Sequence, residues 1–461
     1  MNERNTALKF AENNYNKFQK TLTEFLEIPS ISTSAENQNA MRLAAIFVEN
    51  YLQSIGIKET KILETAGHPA VFGNYASKKK NAPTILVYGH YDVQPPDPID
   101  LWESPPFSPE QRGDYLYGRG ASDMKGQISA SLAAVESILQ NGDPHLNIKF
   151  IYEGEEEIGS PNLPPILKEY ADLLKCDVVL NPDAGMISPN TPTIVYGLRG
   201  LAYFELKIFG PSHDLHSGLF GGIVQNPAQV LCDLISGMKD QDGIIQLDGY
   251  YDDVIELSEN EKLELSRLPI RDSDLLDQTG VRQLWGEKGF TSIERTGARP
   301  TLDVNGMLSG FTGEGSKTVI PAWAMAKISM RLVPNQDPEK VHQQLRRYIT
   351  ENVPDTVTWD LRKFAGGRAT IANTKQPGVI ALAQALQSVW GTKPVFKREG
   401  GSIPVVSEMQ KTIGTDSVLT GFGLPNDNIH SPNERLHLPT WKKGILALIH
   451  FFYNFAEFYE N

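Results

Sequence analysis

The stretch EGEEEIGS, residues 153 to 160, sets Glu153, Glu155, Glu156 and Glu157 directly behind the apolar run NIKFIY. Carboxylates this close repel and raise one another's pKa. Standing alone, such a stretch reads as a solvated acidic turn. The alternative is a bound cation that cancels the repulsion. The same pattern, an apolar run ending in cation-binding groups, recurs along the chain. His90 and Asp92 end ILVYGHYD, Asp183 follows CDVVLNP, His430 follows VLTGFGLPNDNI, and Asp123 lies just ahead of a helical stretch. Taken singly, each has an ordinary role as a turn residue or helix N-cap. Taken together, two imidazoles and several carboxylates with no cysteine suit Zn2+, and also Mn2+ or Co2+. Such a set can hold a pair of ions that share one carboxylate.

The elements that must position these residues follow from hydrophobic pattern. NNYNKFQKTLTEFLEIPSIS predicts an amphipathic helix ending before Pro29, and residues 41 to 56 a second one stopped by Gly56. PTILVYGHYDV predicts a buried strand, and a Pro-rich loop follows it. Ile128, Leu132, Val135 and Leu139 then recur at helical spacing, which predicts a helix with one buried face. NIKFIY (strand), PNLPPILKEYADLL (helix) and CDVVLNPDAG (strand and turn) continue the alternation. Strands alternating with helices predict an α/β fold, a mainly parallel sheet with helices on both faces. In open sheets of this kind, sites form beyond the carboxyl ends of the strands.

Near residue 199 the rhythm changes. IVYGLRGLAYFELKIFG, AMAKISMRLVP and TVTWDLRKF read as strands, and NPAQVLCDLISGMK and DPEKVHQQLRRYITENV as helices, the latter with Val341, Leu345, Tyr348 and Ile349 on one face. Residues 240 to 300 are polar and weakly periodic. From about 370 the α/β pattern returns, with a helix at 377 to 390, the strand DSVLTGFGLP and an apolar helix from Trp441. The expected division is a discontinuous metal-binding domain, residues 1–198 and 370–461, around an inserted α+β domain, residues 199–369.

Bulk properties narrow the function classes. The 461 residues carry a formal net charge of −13, an unfavourable balance for nucleic acid or an anionic membrane surface. No apolar run approaches the ~18 residues of a membrane span, and the polar N-terminal residues show no signal segment. Cys176 and Cys232 lie in apolar contexts and read as buried free thiols. A cytoplasmic location is the expectation.

GHYDVQP, GRGASDMKG, EGEEEIGS, NPDAG and NIHSPNE, in this order, resemble the M20 family of dinuclear zinc aminoacylases and peptidases. The resemblance spans nearly the whole chain, and DLHSGLFGG and GSKTVIP place it nearest the dipeptidase, carnosinase-like branch. It implies that His90 and Asp183 hold one metal, that Glu157 and His430 hold the other, and that Asp123 bridges them. Asp92 would orient the His90 imidazole, and Glu156 would be the general base. Glu153 and Glu155 are left as supporting or exposed. In the inserted domain, which the resemblance makes a lid and dimerisation domain, His216 would reach the partner subunit's active site to stabilise an oxyanion. Arg331 would grip the substrate carboxylate, and Thr318, Asn305, Gly401 and Ser402 would line the pocket.

The implied reaction is metal-assisted hydrolysis of an amide bond in a dipeptide or similar small substrate with a free carboxylate, by a homodimer. N-deacylation of acyl amino acids and desuccinylation of an acylated diamino acid need much the same constellation. A phosphohydrolase, a dehydrogenase and an inert metal-binding protein are weaker readings. GRGASD does not match a phosphate-binding P-loop, no GxGxxG follows the first strand, and the proposed base is present.

Overall fold

Thr84–His90 is apolar without alternation, and every residue after the first is buried, as a strand covered on both faces requires. The computed structural model, which describes residues 3–459, sets this strand between Asn147–Glu153 and Val178–Asn181, parallel to both. Ser417–Leu419 joins parallel to Val178–Asn181. The four strands run in one direction and release their chains at one edge of the sheet, as the α/β expectation requires. Antiparallel strands flank them. Ala70–Tyr75 pairs with Asn147–Glu153, Glu59–Leu63 with Ala70–Tyr75, and Thr193–Leu198 with Ser417–Leu419.

The Lys125–Leu139 helix departs from the one-faced expectation. It packs against both Glu3–Leu26 and Leu438–Phe458, and all its residues through Ile138 are buried. Its Gly, Ala and Ser residues keep it slim enough for this. Ser131 and Ser137 return their hydroxyls to the carbonyls of Gln127 and Ala133, so these two buried hydroxyls are met within the helix. The C-terminal helix begins at Leu438 and anchors here, with Trp441 Nε1 donating to the Gly126 carbonyl at 2.8 Å. Gly126 admits no side chain, since a Cβ would lie 2.0 Å from the Ala121 carbonyl oxygen. PNLPPILKEYADLL forms two short helices, Leu163–Glu169 and Ala171–Leu174.

The chain divides into two compact units. One comprises the chain up to Tyr196, Ala372–Lys397 and the chain from Val405; the other comprises Gly197–Ile371 and Arg398–Pro404. In the second, the strands Thr301–Ser309, Trp323–Leu332, Gly200–Phe209 and Thr358–Gly367 form an antiparallel sheet in that order. Here burial alternates. Ala202, Phe204, Leu206 and Ile208 with Ala324, Ala326, Ile328 and Met330 join the core built with the Pro227–Gly237 and Pro338–Asn352 helices. Val341, Leu345 and Ile349 are buried in that core, while Tyr348 is half-buried and donates to the Leu234 carbonyl.

The thiols correct the sequence expectation. Both are free, but Cys232 is exposed and Cys176 half-buried. Val230, Leu231 and Leu234 occupy the core face of their helix, which turns position 232 outward. Among the described residues no helix is long and apolar enough to cross a membrane.

Candidate metal centre

His90, Asp123 and Glu157 each present a ligand atom within 4.8 Å of the others. Each arrives from a different piece of chain. His90 is the last residue of its strand and is buried. Its Nδ1 lies 3.1 Å from the Asp92 carbonyl oxygen and 3.4 Å from the Asp92 carboxylate, which fixes the ring plane. Its Nε2 lies 3.2 Å from Asp123 Oδ1 and 3.8 Å from Asp183 Oδ1. Asp183 sits in the turn after Val178–Asn181, held where Ala184 N–H donates to the Thr420 carbonyl. Gly421 permits that approach, because a Cβ there would meet the Ala184 oxygen at 1.5 Å.

On the opposite side of Asp123, His430 Nε2 lies 2.9 Å from Oδ2 and 3.2 Å from Glu157 Oε2. His430 is exposed and adopts a φ of +61°, a region uncommon for a residue with a side chain. Gln94 donates to Glu157 Oε2 at 2.9 Å. The two oxygens of Asp123 thus face separate imidazoles, each accompanied by one further carboxylate.

The acidic turn is shaped by Asp92. Its oxygens accept the backbone N–H groups of Glu156 at 3.2 Å and Glu157 at 3.1 Å, so one buried carboxylate both faces His90 and folds EGEEEIGS toward it. Glu153 and Glu155 are buried supports. Glu153 accepts from Tyr88 and Ser160, and Glu155 accepts from the His68 backbone and Asn162. Neither joins the cluster. Nothing in the sequence reading gave a role to Gln94 or to Glu434. Glu434 accepts the backbone N–H of Asp123 at 3.0 Å, and its only signal was its place within NIHSPNE.

Residues 86–454 match the profile of Peptidase family M20/M25/M40. The chain belongs to this family. It is a hydrolase, and its relatives agree over nearly full length. The Cys-Gly metallodipeptidase of Candida albicans is 31% identical, covering 94% of this chain and 93% of its own. The structure of an M20 family metallo-carboxypeptidase from Sulfolobus solfataricus superposes with a TM-score of 0.85 at 33% identity, covering 95% of this chain and 99% of that one. Human carnosine dipeptidase 1 superposes with a TM-score of 0.81 at 27% identity, covering 98% and 99%.

The charge balance of this M20 peptidase is that of a cation site. Burial opposes a charged Asp123, yet its hydrogen bonds to His430 and His90 outweigh burial and hold it below the usual carboxylate range. Bonds to Asp123 and Glu157 push His430 up to about 10 against its burial. His90 is held well above its usual value by Asp123, Asp183 and Asp92 despite complete burial. Burial drives Glu156 up to about 9; His90 opposes this, and the neighbouring acids reinforce it. The imidazoles and Glu156 all shift toward holding protons, as groups set among an excess of acids do. Divalent ions replace such protons, so this donor set fits them.

The remaining expected residues lie in the second unit, and all but Asn305 fall into two groups. His216 is exposed and caps the short Ser217–Phe220 helix, with Nδ1 accepting from Gly218 N–H at 2.9 Å. Thr318 adjoins it, its carbonyl accepting from Ser217 N–H at 3.1 Å. Arg331 Nη1 donates to Ser402 Oγ at 2.9 Å, and Gly401 offers its carbonyl to Arg199 N–H. Asn305 belongs to neither group; it is exposed at a register shift between Val304 and Gly306.

Proposed function

We propose that this M20 peptidase hydrolyses the amide bond of dipeptides bearing a free carboxylate, with two divalent ions. His90 and Asp183 would hold one, Glu157 and His430 the other, with Asp123 shared. The observation that carries this reading is the placement of the Asp123 oxygens, 3.2 Å from one imidazole and 2.9 Å from another. Imidazole with carboxylate suits Zn2+, and tolerates Mn2+ or Co2+. When bound, the ions contribute Lewis acidity toward a water and the scissile carbonyl.

The chain's own groups do the proton transfer. Glu156 stands half-buried at the cluster, and among the described residues no hydrogen bond ties its carboxylate. With the ions in place Glu156 would be ionised, and it is the group placed to take a proton from the attacking water and return it to the leaving amine. Asp92 keeps the His90 imidazole oriented. His216, its Nδ1 engaged as an acceptor, carries its proton on Nε2, a donor suited to a developing oxyanion. Arg331 is a guanidinium suited to a carboxylate, with Ser402, Gly401, Thr318 and Asn305 as further lining.

The inserted unit is proposed as the lid and dimerisation domain of a homodimer. Its exposed Leu219, Ile223, Met307 and Phe311 support this, as apolar side chains that an interface would cover. A cytoplasmic enzyme agrees with two free thiols. The name of the Sulfolobus relative favours a second reading, removal of the C-terminal residue from longer peptides. A panel of dipeptides, C-terminally amidated dipeptides, tetrapeptides and N-acyl amino acids on Zn2+-loaded protein tests both. Dipeptides turned over fastest, with amidated ones refused, is the expected result. Preference for tetrapeptides selects carboxypeptidase action, and preference for acyl amino acids selects a deacylase.

A further inference from the structure

The proposed ligands Asp123 and His430 lie on loops that are distant in sequence, and a single buried carboxylate joins those loops. Glu434 follows His430 by four positions and is 1% exposed. Both its oxygens are doubly engaged. Oε2 accepts from Arg119 Nη1 at 2.8 Å and from Gly120 N–H at 2.9 Å. Oε1 accepts from the N–H groups of Ser122 at 2.9 Å and Asp123 at 3.0 Å. The turn that presents Asp123 is therefore wrapped around a side chain delivered by the His430 loop. Lesser ties run alongside. Gly118 N–H donates to the Glu434 carbonyl at 2.9 Å. Ser122 Oγ donates to Asp427 Oδ2 at 3.1 Å, and Asp427 also accepts from Leu424 N–H.

A buried carboxylate is tolerated only when charge-paired and fully hydrogen-bonded, and this one meets both conditions. Its bonds are charge-assisted and converge on the backbone just before the Asp123 side chain. Removing the carboxylate takes the acceptor from Arg119 Nη1 and from three backbone N–H groups, while Arg119 Nη2 keeps the Pro95 carbonyl, and the turn must open to find water. The separation of Asp123 from His430, 2.9 Å, then loses its brace.

We propose that Glu434 is a positioning residue of the metal centre, locking the Asp123 turn to the His430 loop so that one carboxylate meets both imidazoles. This rests on the reading of Asp123 and His430 as ligands. Outer-shell partners of this kind are typically worth about 10–100-fold in metal affinity.

The test measures Zn2+ affinity and stoichiometry by competition with a chromophoric chelator, and needs no substrate. Glu434→Gln keeps the shape but turns an amide N–H2 toward donors. It is expected to bind Zn2+ about 10–100-fold more weakly while its metal-free circular dichroism matches the parent's. Glu287→Gln breaks a buried ion pair with Arg299 in the inserted unit and serves as the control. It should lower the thermal midpoint and leave Zn2+ affinity intact. Parental affinity in Glu434→Gln overturns the proposal, as does equal weakening in Glu287→Gln. Should Glu434→Gln not fold, Glu434→Asp decides. It keeps the charge on an arm one methylene shorter; weakened binding upholds the proposal and parental binding overturns it. A parent chain that binds no Zn2+ removes the ligand assignment itself, and this inference with it. A parent and variant that bind alike remove only this inference.

Discussion

The two sheets of this chain solve burial differently, and only one of the solutions leaves a chemical edge. Thr84–His90 is buried almost throughout, whereas Trp323–Leu332 and Gly200–Phe209 alternate buried and half-buried positions. The parallel strands spend their side chains on core. Polar residues are admitted where those strands end, and there several chains converge on one edge. The antiparallel sheet buries one face and frees the other, so Arg331, next to last in its strand, is half-buried where Ile328 and Met330 are buried. Chemistry that needs many ligands at one point belongs to the first design. Single groups presented from a surface belong to the second.

That contrast breaks most directly at Asp123. Asp123→Asn should cost bound metal and reduce turnover to background; metal analysis beside a dipeptide assay reads it, and retained metal would sink the shared-ligand reading. Glu156→Gln comes next. Turnover should fall about 10²–10⁴-fold with metal content unchanged, as expected of a proton-transfer group outside the ligand set. Parallel loss of metal would move Glu156 into that set.

Arg331→Met tests the other sheet. A charged hydrogen bond is worth about 1.5–3 kcal/mol, so kcat/KM should drop roughly 10–100-fold, mainly through KM and without loss of metal. A drop of the same size for an amidated substrate would contradict carboxylate recognition. Core truncation gives the smallest effect on chemistry. Leu180→Ala and Ile328→Ala should each cost about 2–5 kcal/mol in stability by denaturant titration. Only Leu180→Ala, on the strand leading to Asp183, should also weaken Zn2+ binding.

Much of this arrangement is legible along the chain because its causes are local. An apolar run without alternation is a doubly covered strand wherever it occurs, and the change to alternation at Gly200–Phe209 marks a one-sided sheet. Residue type names the chemistry that imidazoles and carboxylates can perform. The errors also have local causes. Periodicity showed one buried face for Lys125–Leu139, but it carries no record of how many neighbours a slim helix can accept. An apolar context hid the outward side of Cys232, because context does not say which side of a helix a core covers.

Which of four neighbouring glutamates turns toward the cluster was settled by distant partners. Asp92 folds the turn by capping Glu156 and Glu157, while Tyr88 and Asn162 draw Glu153 and Glu155 aside. Glu434 braces Asp123 from more than three hundred positions away. Sequence by itself determined the buried parallel strands, the long helices and the kinds of donor available, since those depend on neighbours a few residues apart. Only the tertiary structure decided which donors meet, because hydrogen bonds between remote loops have no period to read.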